Sequence, residues 1–323
     1  MAHQILITEN IRGRWIDELK QKFGVIFEPN LWKSPERLMT MLPDCSALIV
    51  RNQTKVNADL MASGPKLKVI GRAGAGLDNI EVKAATAAGI VVVSTPDQNS
   101  ISVSELTLGM MLGLARKLPA ADRHTKGGGW DRPRFMGTEL YGKSFGVIGL
   151  GRIGFLTAAR ARAFGMDILA HDNFVSPDAA TVAELRASLM DLPSLLARAD
   201  FISCHLPLTP ETRGMFNYEL FCRMKPTAFF LNLSRGEVVD EAGLVRALQE
   251  KCIAGAGLDV RQQEPPPTSQ LSEMDNVIMT PHTAAFTVEA QDRVVAAVCQ
   301  DVAAVLEGHP PKNSANLRAP VGR

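Results

Sequence analysis

The chain carries almost no surplus of charge: 35 Lys and Arg stand against 34 Asp and Glu, so no global field draws in nucleic acid or an anionic membrane surface. It has no long apolar run either. The longest, Leu106 to Ala115, is bounded by Glu105 and Arg116 and is too short to span a bilayer. The opening MAHQILITEN has no basic segment leading into an apolar one, so no export signal is expected. The five cysteines, Cys45, Cys204, Cys222, Cys252 and Cys299, are scattered without a CxxC pair, which predicts reduced thiols and no metal site. No repeat at a fixed period and no low-complexity tract occurs, and Pro265 to Pro267 reads as a local turn. These absences leave a soluble, cytoplasmic globular protein. At 323 residues, with 46% hydrophobic and 21% charged residues, it is long enough for two domains.

Within that frame, short apolar strands alternate with helical segments from the start. Strand candidates are Ile5 to Thr8, Val25 to Glu28, Ala47 to Val50, Leu67 to Ile70 and Ile90 to Val93. Helical segments near Trp15 to Phe23, Pro35 to Met41, Asn57 to Ala62 and Val82 to Ala88 separate them, the βα pattern of a parallel sheet.

A glycine fingerprint follows at Phe145 to Gly154, FGVIGLGRIG, between an apolar strand and a helix that begins at Arg152. Gly149 permits the tight turn, Gly151 lets a pyrophosphate approach the backbone, and Gly154 lets the helix pack on the strand. The helix N-terminus offers amides and a positive dipole end to phosphates. A second apolar run ends at His171 and Asp172, where a ribose-binding carboxylate belongs. Asp172 would repel a 2′-phosphate, and no Arg or Lys stands beside it, so NAD is expected over NADP. The plain alternative is an ordinary βα turn whose Asp172 only caps it.

This fingerprint strand normally opens a dinucleotide-binding unit, yet about 100 residues of another α/β unit precede it. The architecture expected is therefore α/β with two doubly wound parallel-sheet domains. A Rossmann NAD-binding domain (100–286) is inserted into a flavodoxin-like substrate domain (1–99 and 287–323). Between them, Ser100 to Leu118 reads as one uninterrupted helix opened by a Ser cap, too apolar around its circumference for solvent and expected to be buried between domains or subunits. Strand candidates at Phe201 to Cys204, Ala228 to Leu231, Ala254 to Leu258 and Val277 to Met279 complete the second sheet. A helix from Val288 to Leu306 has no strand after it and returns the chain to the first domain.

Three polar residues stand at the ends of the late strands: Arg235 after NLS, Glu264 after GLDVRQQ and His282 after MTP. Ligands of open α/β sheets bind beyond the carboxyl ends of strands, so the three are candidates for one crevice. Singly, each is more often a solvated charge, a turn residue or a structural histidine. Together they suit hydride transfer at a carbon bearing oxygen. Histidine exchanges the proton near neutrality, a carboxylate holds the ring, and a guanidinium clamps a substrate carboxylate.

At these residues the chain resembles the D-isomer-specific 2-hydroxyacid dehydrogenase family, through VIGLGRIG, HLPLTPETRGMF, FFLNLSRGEVVDE, AGAGLDVRQQEPPP and TPHTAAFT. The resemblance implies His282 as acid/base, Glu264 as its partner and Arg235 as the substrate-orienting residue beside the nicotinamide. It implies that Arg152 and Ile153 cover the pyrophosphate and Asp259 contacts the nicotinamide side, with Leu206, Ser234 and Ala285 also at the cofactor. Domain closure would exclude water from the hydride path.

Three further segments, LIVRNQTKV, GRAGAGLDNI and GGGWDRPRFMGTEL, resemble the branch of the family that oxidises 3-phosphoglycerate on the way to serine. By that likeness Arg51 and Arg72 meet a substrate phosphate, and Gly74, Ala75, Gly76 and Asn79 cradle its carboxylate. The C-terminal regulatory extension common in that branch is missing, so serine feedback is not expected. Phe286 stands where a small residue is commoner and narrows the crevice. The same cations suit sulfolactate, and glycerate, glyoxylate or lactate are alternatives. A reading of another class, an NAD-sensing corepressor with the same three residues, lacks the interaction tails it would need. Met110, Met111, Leu112 and the segment from Trp130 to Phe135 predict a homodimer.

Overall fold

The computed structural model describes residues 4–317; residues 1–3 and 318–323, which the expected substrate domain includes, lie outside the described residues. The chain divides into two compact units, residues 1–99 with 286–323, and residues 100–285.

The first unit holds five strands, β1 (Gln4–Ile7), β2 (Gly24–Phe27), β3 (Ala47–Val50), β4 (Val69–Arg72) and β5 (Val91–Val93). They pair in parallel in the order β2-β1-β3-β4-β5. Parallel strands are covered on both faces, which is why Ala47 to Val50 is buried at every position without alternation. One cover is the helix Val288–Leu306, whose Val294, Val298 and Val302 join the core beneath β3 and β4. Asp301, buried on that helix, accepts hydrogen bonds from the Lys312 and Asn313 amides and the Asn313 side chain. It thereby lays Ser314 against β5 as an antiparallel bridge.

The second unit holds β6 (Ser144–Ile148), β7 (Asp167–His171), β8 (Ser188–Leu189), β9 (Phe201–Cys204), β10 (Phe229–Asn232), β11 (Gly255–Leu258) and β12 (Val277–Met279). These are again all parallel, in the order β12-β11-β10-β9-β6-β7-β8. The order runs outward in both directions from β6, so the fingerprint strand lies at the switch point, where ligand crevices open in such sheets. The two sheets are the doubly wound α/β class expected. The two-residue β8 was not predicted, because so short a strand leaves no pattern to find.

Other expectations need correction. The helix expected over Ser100 to Leu118 ends at Ala115; Lys117 takes φ 52°, and a new helix, Leu118–Lys126, begins with Pro119 in its first turn. Proline lacks the amide an uninterrupted helix needs at that point, so the chain restarts there. Ser100 is the first residue of its helix rather than its cap, and its buried hydroxyl has no hydrogen-bond partner. Most of the helix surface is buried within its own unit, against the 152–163 helix and β10 to β12.

The five cysteines are not all thiols. Cys222 and Cys252 form a disulfide 30 residues apart in sequence, while Cys45, Cys204 and Cys299 are free and buried. Each bonded cysteine follows the end of a helix, Tyr218–Phe221 and Glu241–Gln249, and these two helices pack together. Tertiary packing closes the pair, so no local spacing in the sequence announced it.

Candidate active site

At the switch point the turn after β6 is shaped by glycine. Gly149 takes φ +89°, and a Cβ there would meet the His205 carbonyl at 3.0 Å. At Gly154 a Cβ would stand 2.0 Å from the Gly149 carbonyl oxygen, so the helix lies against the turn only because that side chain is missing. Gly151, by contrast, faces open space. It is the N-cap of the helix Arg152–Ala163, and no side chain caps that end. Uncapped amides at a positive helix end, with open space before them, fit the pyrophosphate of a dinucleotide. Asp172 follows β7 and spans the turn: one oxygen accepts from the Leu150 amide at 2.8 Å and the other from the Phe174 amide at 2.8 Å. Its neighbour Phe174 is 97% exposed. Leu206, half-buried after β9, packs beside Gly149.

The loops after β10, β11 and β12 carry the three chemical candidates. His282 Nδ1 lies 2.7 Å from Glu264 Oε2, and the ring is half-exposed. The Glu264 carboxylate also accepts from the Arg261 amide at 3.1 Å. Burial pushes Glu264 upward, but the bond and charge of His282, the Arg261 amide and the Arg235 charge together hold it below the usual carboxylate value. Arg235 is half-buried, donates from Nη1 to the Ser234 carbonyl, and is close enough to be felt by Glu264. Ser234 donates to Asn232 Oδ1 at 2.8 Å.

His282 sits at φ 54°, a left-handed conformation uncommon outside glycine, and the surrounding bonds hold it there. Its amide donates to the Asp259 and Thr280 carbonyls. The Asp259 carboxylate, 1% exposed, accepts from the Thr283 amide at 2.8 Å, the Ala284 amide at 2.9 Å and the Thr280 hydroxyl. Asp259 therefore staples the turn that aims the histidine. Ala285 follows directly on Ala284 in the chain. The carboxylate thus engages the imidazole through Nδ1, one of its two ring nitrogens.

In the first unit a different group forms. Glu9, 4% exposed, accepts from the amides of Arg51, Gln53 and Thr54 and from the Thr54 hydroxyl. Asn79, 7% exposed, donates to the carbonyls of Arg51 and Thr54. The loop after β3 is thus fixed by its neighbours on both sides, and Asn79 is engaged in holding it. The Arg51 side chain bonds to Gln291 and stacks 4.9 Å over the Phe286 ring. Burial lowers its affinity for a proton and the Glu9 charge opposes that. Arg72 folds its guanidinium over Gly74, where a Cβ would lie 1.5 Å from Nη1, and the loop continues through Ala75 and Gly76. Glu9 and Gln291 were not predicted, since each reaches its loop from a distant part of the chain; Arg261, only three residues before Glu264, was not predicted because its side chain is held by the distant Glu241. Among the described residues no cluster of His, Cys, Asp or Glu could hold a metal ion, and no helix is long and apolar enough to cross a membrane.

A doubly wound sheet with a glycine-shaped turn at its switch point, and a His–Glu pair on neighbouring loops, is the layout of a dinucleotide-binding α/β protein. Residues 108–284 match the model of the D-isomer specific 2-hydroxyacid dehydrogenase NAD binding domain, and the chain belongs to that family. Over 314 residues it is 43% identical to the D-3-phosphoglycerate dehydrogenase of Synechocystis sp., covering 97% of this chain and 56% of that protein. It is 45% identical to the enzyme of the same name from Methanocaldococcus jannaschii, covering 97% and 59%. The chain therefore spans a little over half the length of these relatives. Among solved structures, the TT0316 protein of Thermus thermophilus superposes with a TM-score of 0.91 at 32% identity, covering 97% of this chain and 99% of that one. The D-lactate dehydrogenase of Aquifex aeolicus, complexed with NAD and lactic acid, gives 0.88 at 27% identity, covering 98% and 100%.

Proposed function

We propose that the protein is an NAD-dependent dehydrogenase of small anionic D-2-hydroxy acids, with 3-phosphoglycerate as its substrate. The observation that carries the reaction class is the 2.7 Å bond between His282 and Glu264, beside Arg235, on loops next to the dinucleotide cradle. Bound NAD supplies the acceptor for the hydride that leaves the hydroxyl-bearing carbon. The chain's own residues do the rest. Glu264 holds Nδ1–H, which leaves the Nε2 lone pair of His282 to take the hydroxyl proton in oxidation, or return it in reduction. Arg235 clamps the substrate carboxylate. Gly149, Gly151, Arg152, Ile153 and Gly154 hold the pyrophosphate, and Asp172 the adenosine ribose. Leu206, Ser234 and Ala285 also line the cofactor, and Asp259 acts on its nicotinamide side through the His282 turn.

The substrate assignment rests on Arg51 and Arg72, at the ends of neighbouring strands β3 and β4. A dianionic phosphate calls for more than one cation, and the two relatives named D-3-phosphoglycerate dehydrogenase support the choice. In this reading Gly74, Ala75, Gly76 and Asn79 shape the carboxylate end. The units 1–99 with 286–323 and 100–285 act as substrate and NAD domains. The deciding experiment is NAD-linked turnover of 3-phosphoglycerate, sulfolactate, glycerate, lactate and malate. Preference for 3-phosphoglycerate by at least tenfold in kcat/KM supports the assignment, and preference for an acid without phosphate overturns it while leaving the class intact.

We further infer a homodimer; Met110 and Met111 lend it nothing, being buried in the core of their own unit, but Trp130, Met136 and Tyr141 are 82%, 77% and 79% exposed in one short segment. Light scattering at micromolar concentration tests it. A cytoplasmic site of action suits a soluble acid and NAD. It requires the Cys222–Cys252 pair to be open under reducing conditions, which thiol alkylation in intact cells would reveal.

A further inference from the structure

An ion pair between a buried arginine and a partly buried glutamate lies behind the His282–Glu264 couple. The Arg261 guanidinium, with a side-chain exposure of 7%, donates from Nε to Glu241 Oε1 at 2.9 Å and from Nη2 to Glu241 Oε2 at 2.8 Å. Nη2 also reaches Ser269 Oγ at 3.1 Å. Glu241 opens the helix Glu241–Gln249 and accepts the Gln262 amide at 2.6 Å as well. Such a pair is poor evidence for stability, since desolvating both charges cancels much of their attraction. Its consequence is geometric. The backbone of the same Arg261 touches the site twice: its amide donates to Glu264 Oε1, and its carbonyl presses on Gly236, where a Cβ would stand only 1.9 Å away. Gly236 follows Arg235 directly. One clamped residue therefore sets both the loop that carries Glu264 and the turn that carries Arg235.

We propose that Arg261 and Glu241 are positioning residues for the site: the two-point pair fixes the Arg261 backbone, which orients Glu264 toward His282 and seats the Arg235 turn. The inference deepens the dehydrogenase reading above and rests on its assignment of His282 and Glu264. Removing the pair leaves the 261–264 loop free to shift, so Glu264 no longer meets Nδ1 at one fixed geometry, while the dinucleotide turn after β6 is untouched.

The test uses the full chain and two variants. Arg261→Met with Glu241→Leu removes both charges together and leaves no orphaned ion, and Arg261→Lys keeps the charge but loses the two-point fork. Each is measured for NADH affinity by fluorescence, for kcat and KM, and for the pH titration of the His282 ring by NMR. The double variant is expected to keep NADH affinity within about twofold, to lose about tenfold or more in kcat, and to show a displaced His282 titration. Arg261→Lys is expected to fall between it and the unmodified protein. If either variant folds with unmodified kcat and an unmodified His282 titration, the proposal is wrong; should the double variant not fold, Arg261→Lys decides alone. Absence of NAD-linked turnover in the unmodified protein would instead defeat the functional reading, and the ring titration would still judge the positioning role.

Discussion

Both units shape their strand-end loops with a buried carboxylate, yet they present opposite kinds of chemistry. In the first, Glu9 collects three amides and a hydroxyl, and the loop it fixes offers Arg51, with Arg72 at the end of the next strand. Those guanidinium groups are charged at every working pH. In the second, Asp259 collects two amides and two hydroxyls, and the turn it fixes offers His282 bonded to Glu264, a pair able to gain and lose a proton. The same scaffolding device serves permanent charge in one unit and exchangeable charge in the other. One set of loops carries fixed positive charge, the other a histidine in contact with a carboxylate.

The largest expected effect breaks the second half of that contrast. Replacing His282 with Ala removes the only imidazole on those loops, and turnover should fall by about two to four powers of ten. NADH affinity should stay within a few-fold, because the cradle at Gly149 to Gly154 does not use the ring. Unchanged turnover would move the proton chemistry elsewhere.

Substitution of Arg51 or Arg72 by Ala probes the first half. Each deletes one charge-assisted contact worth roughly 1.5 to 3 kcal/mol, so KM for 3-phosphoglycerate should rise about tenfold or more, with kcat less affected. A hydroxy acid without phosphate should be used as before. A general folding defect would depress both substrates together, and equal losses on the two would remove the anion-holding role.

A smaller effect is expected at the ribose. Asp172→Ala combined with Asn173→Arg removes the repulsion of a 2′-phosphate and supplies a partner, shifting preference toward NADP by about tenfold. Because Asp172 also accepts the Leu150 amide, NAD affinity should weaken at the same time. Kd values for both cofactors measure the two changes separately, and an unaltered ratio would place ribose recognition at other residues.

Much of this was legible in the chain itself. Runs such as Ala47 to Val50 and Phe201 to Cys204 are strands because parallel sheets bury both faces, and continuous apolar stretches announce that. The fingerprint was readable because steric demand at Gly149 and Gly154 leaves glycine alone acceptable. The sequence order Arg235, Glu264, His282 singled these residues out through a family likeness, and the structure brings His282 and Glu264 to 2.7 Å of each other. The supporting groups had no such signal. Glu9 acts on residues 42 to 45 positions away, and Glu241 on Arg261 20 positions away. Their roles exist only after the sheet has brought distant strand ends together. The break at Lys117 was visible in Pro119 but was outweighed by the apolar pattern around it.

The smallest effect sharpens the contrast through acid. Glu264 is held below the usual carboxylate range although burial alone would raise it, so its ionised form is preferred in the folded protein. A group with a lowered folded pKa binds fewer protons folded than unfolded. The stability it contributes is therefore present above the ordinary carboxylate value, about pH 4, and is lost as pH falls through the lower folded value. The carboxylate is about a third exposed, at 35%, which screens the contribution and keeps it modest. Glu264→Gln keeps the shape and deletes the charge. Urea midpoints of the two proteins should differ slightly at pH 7 and converge as pH drops below about 4. The first unit is the same in both proteins, so it cannot produce such convergence. A gap that persists unchanged down to about pH 2 would mean that the variant lost packing and not charge, and that Glu264 serves His282 by shape alone.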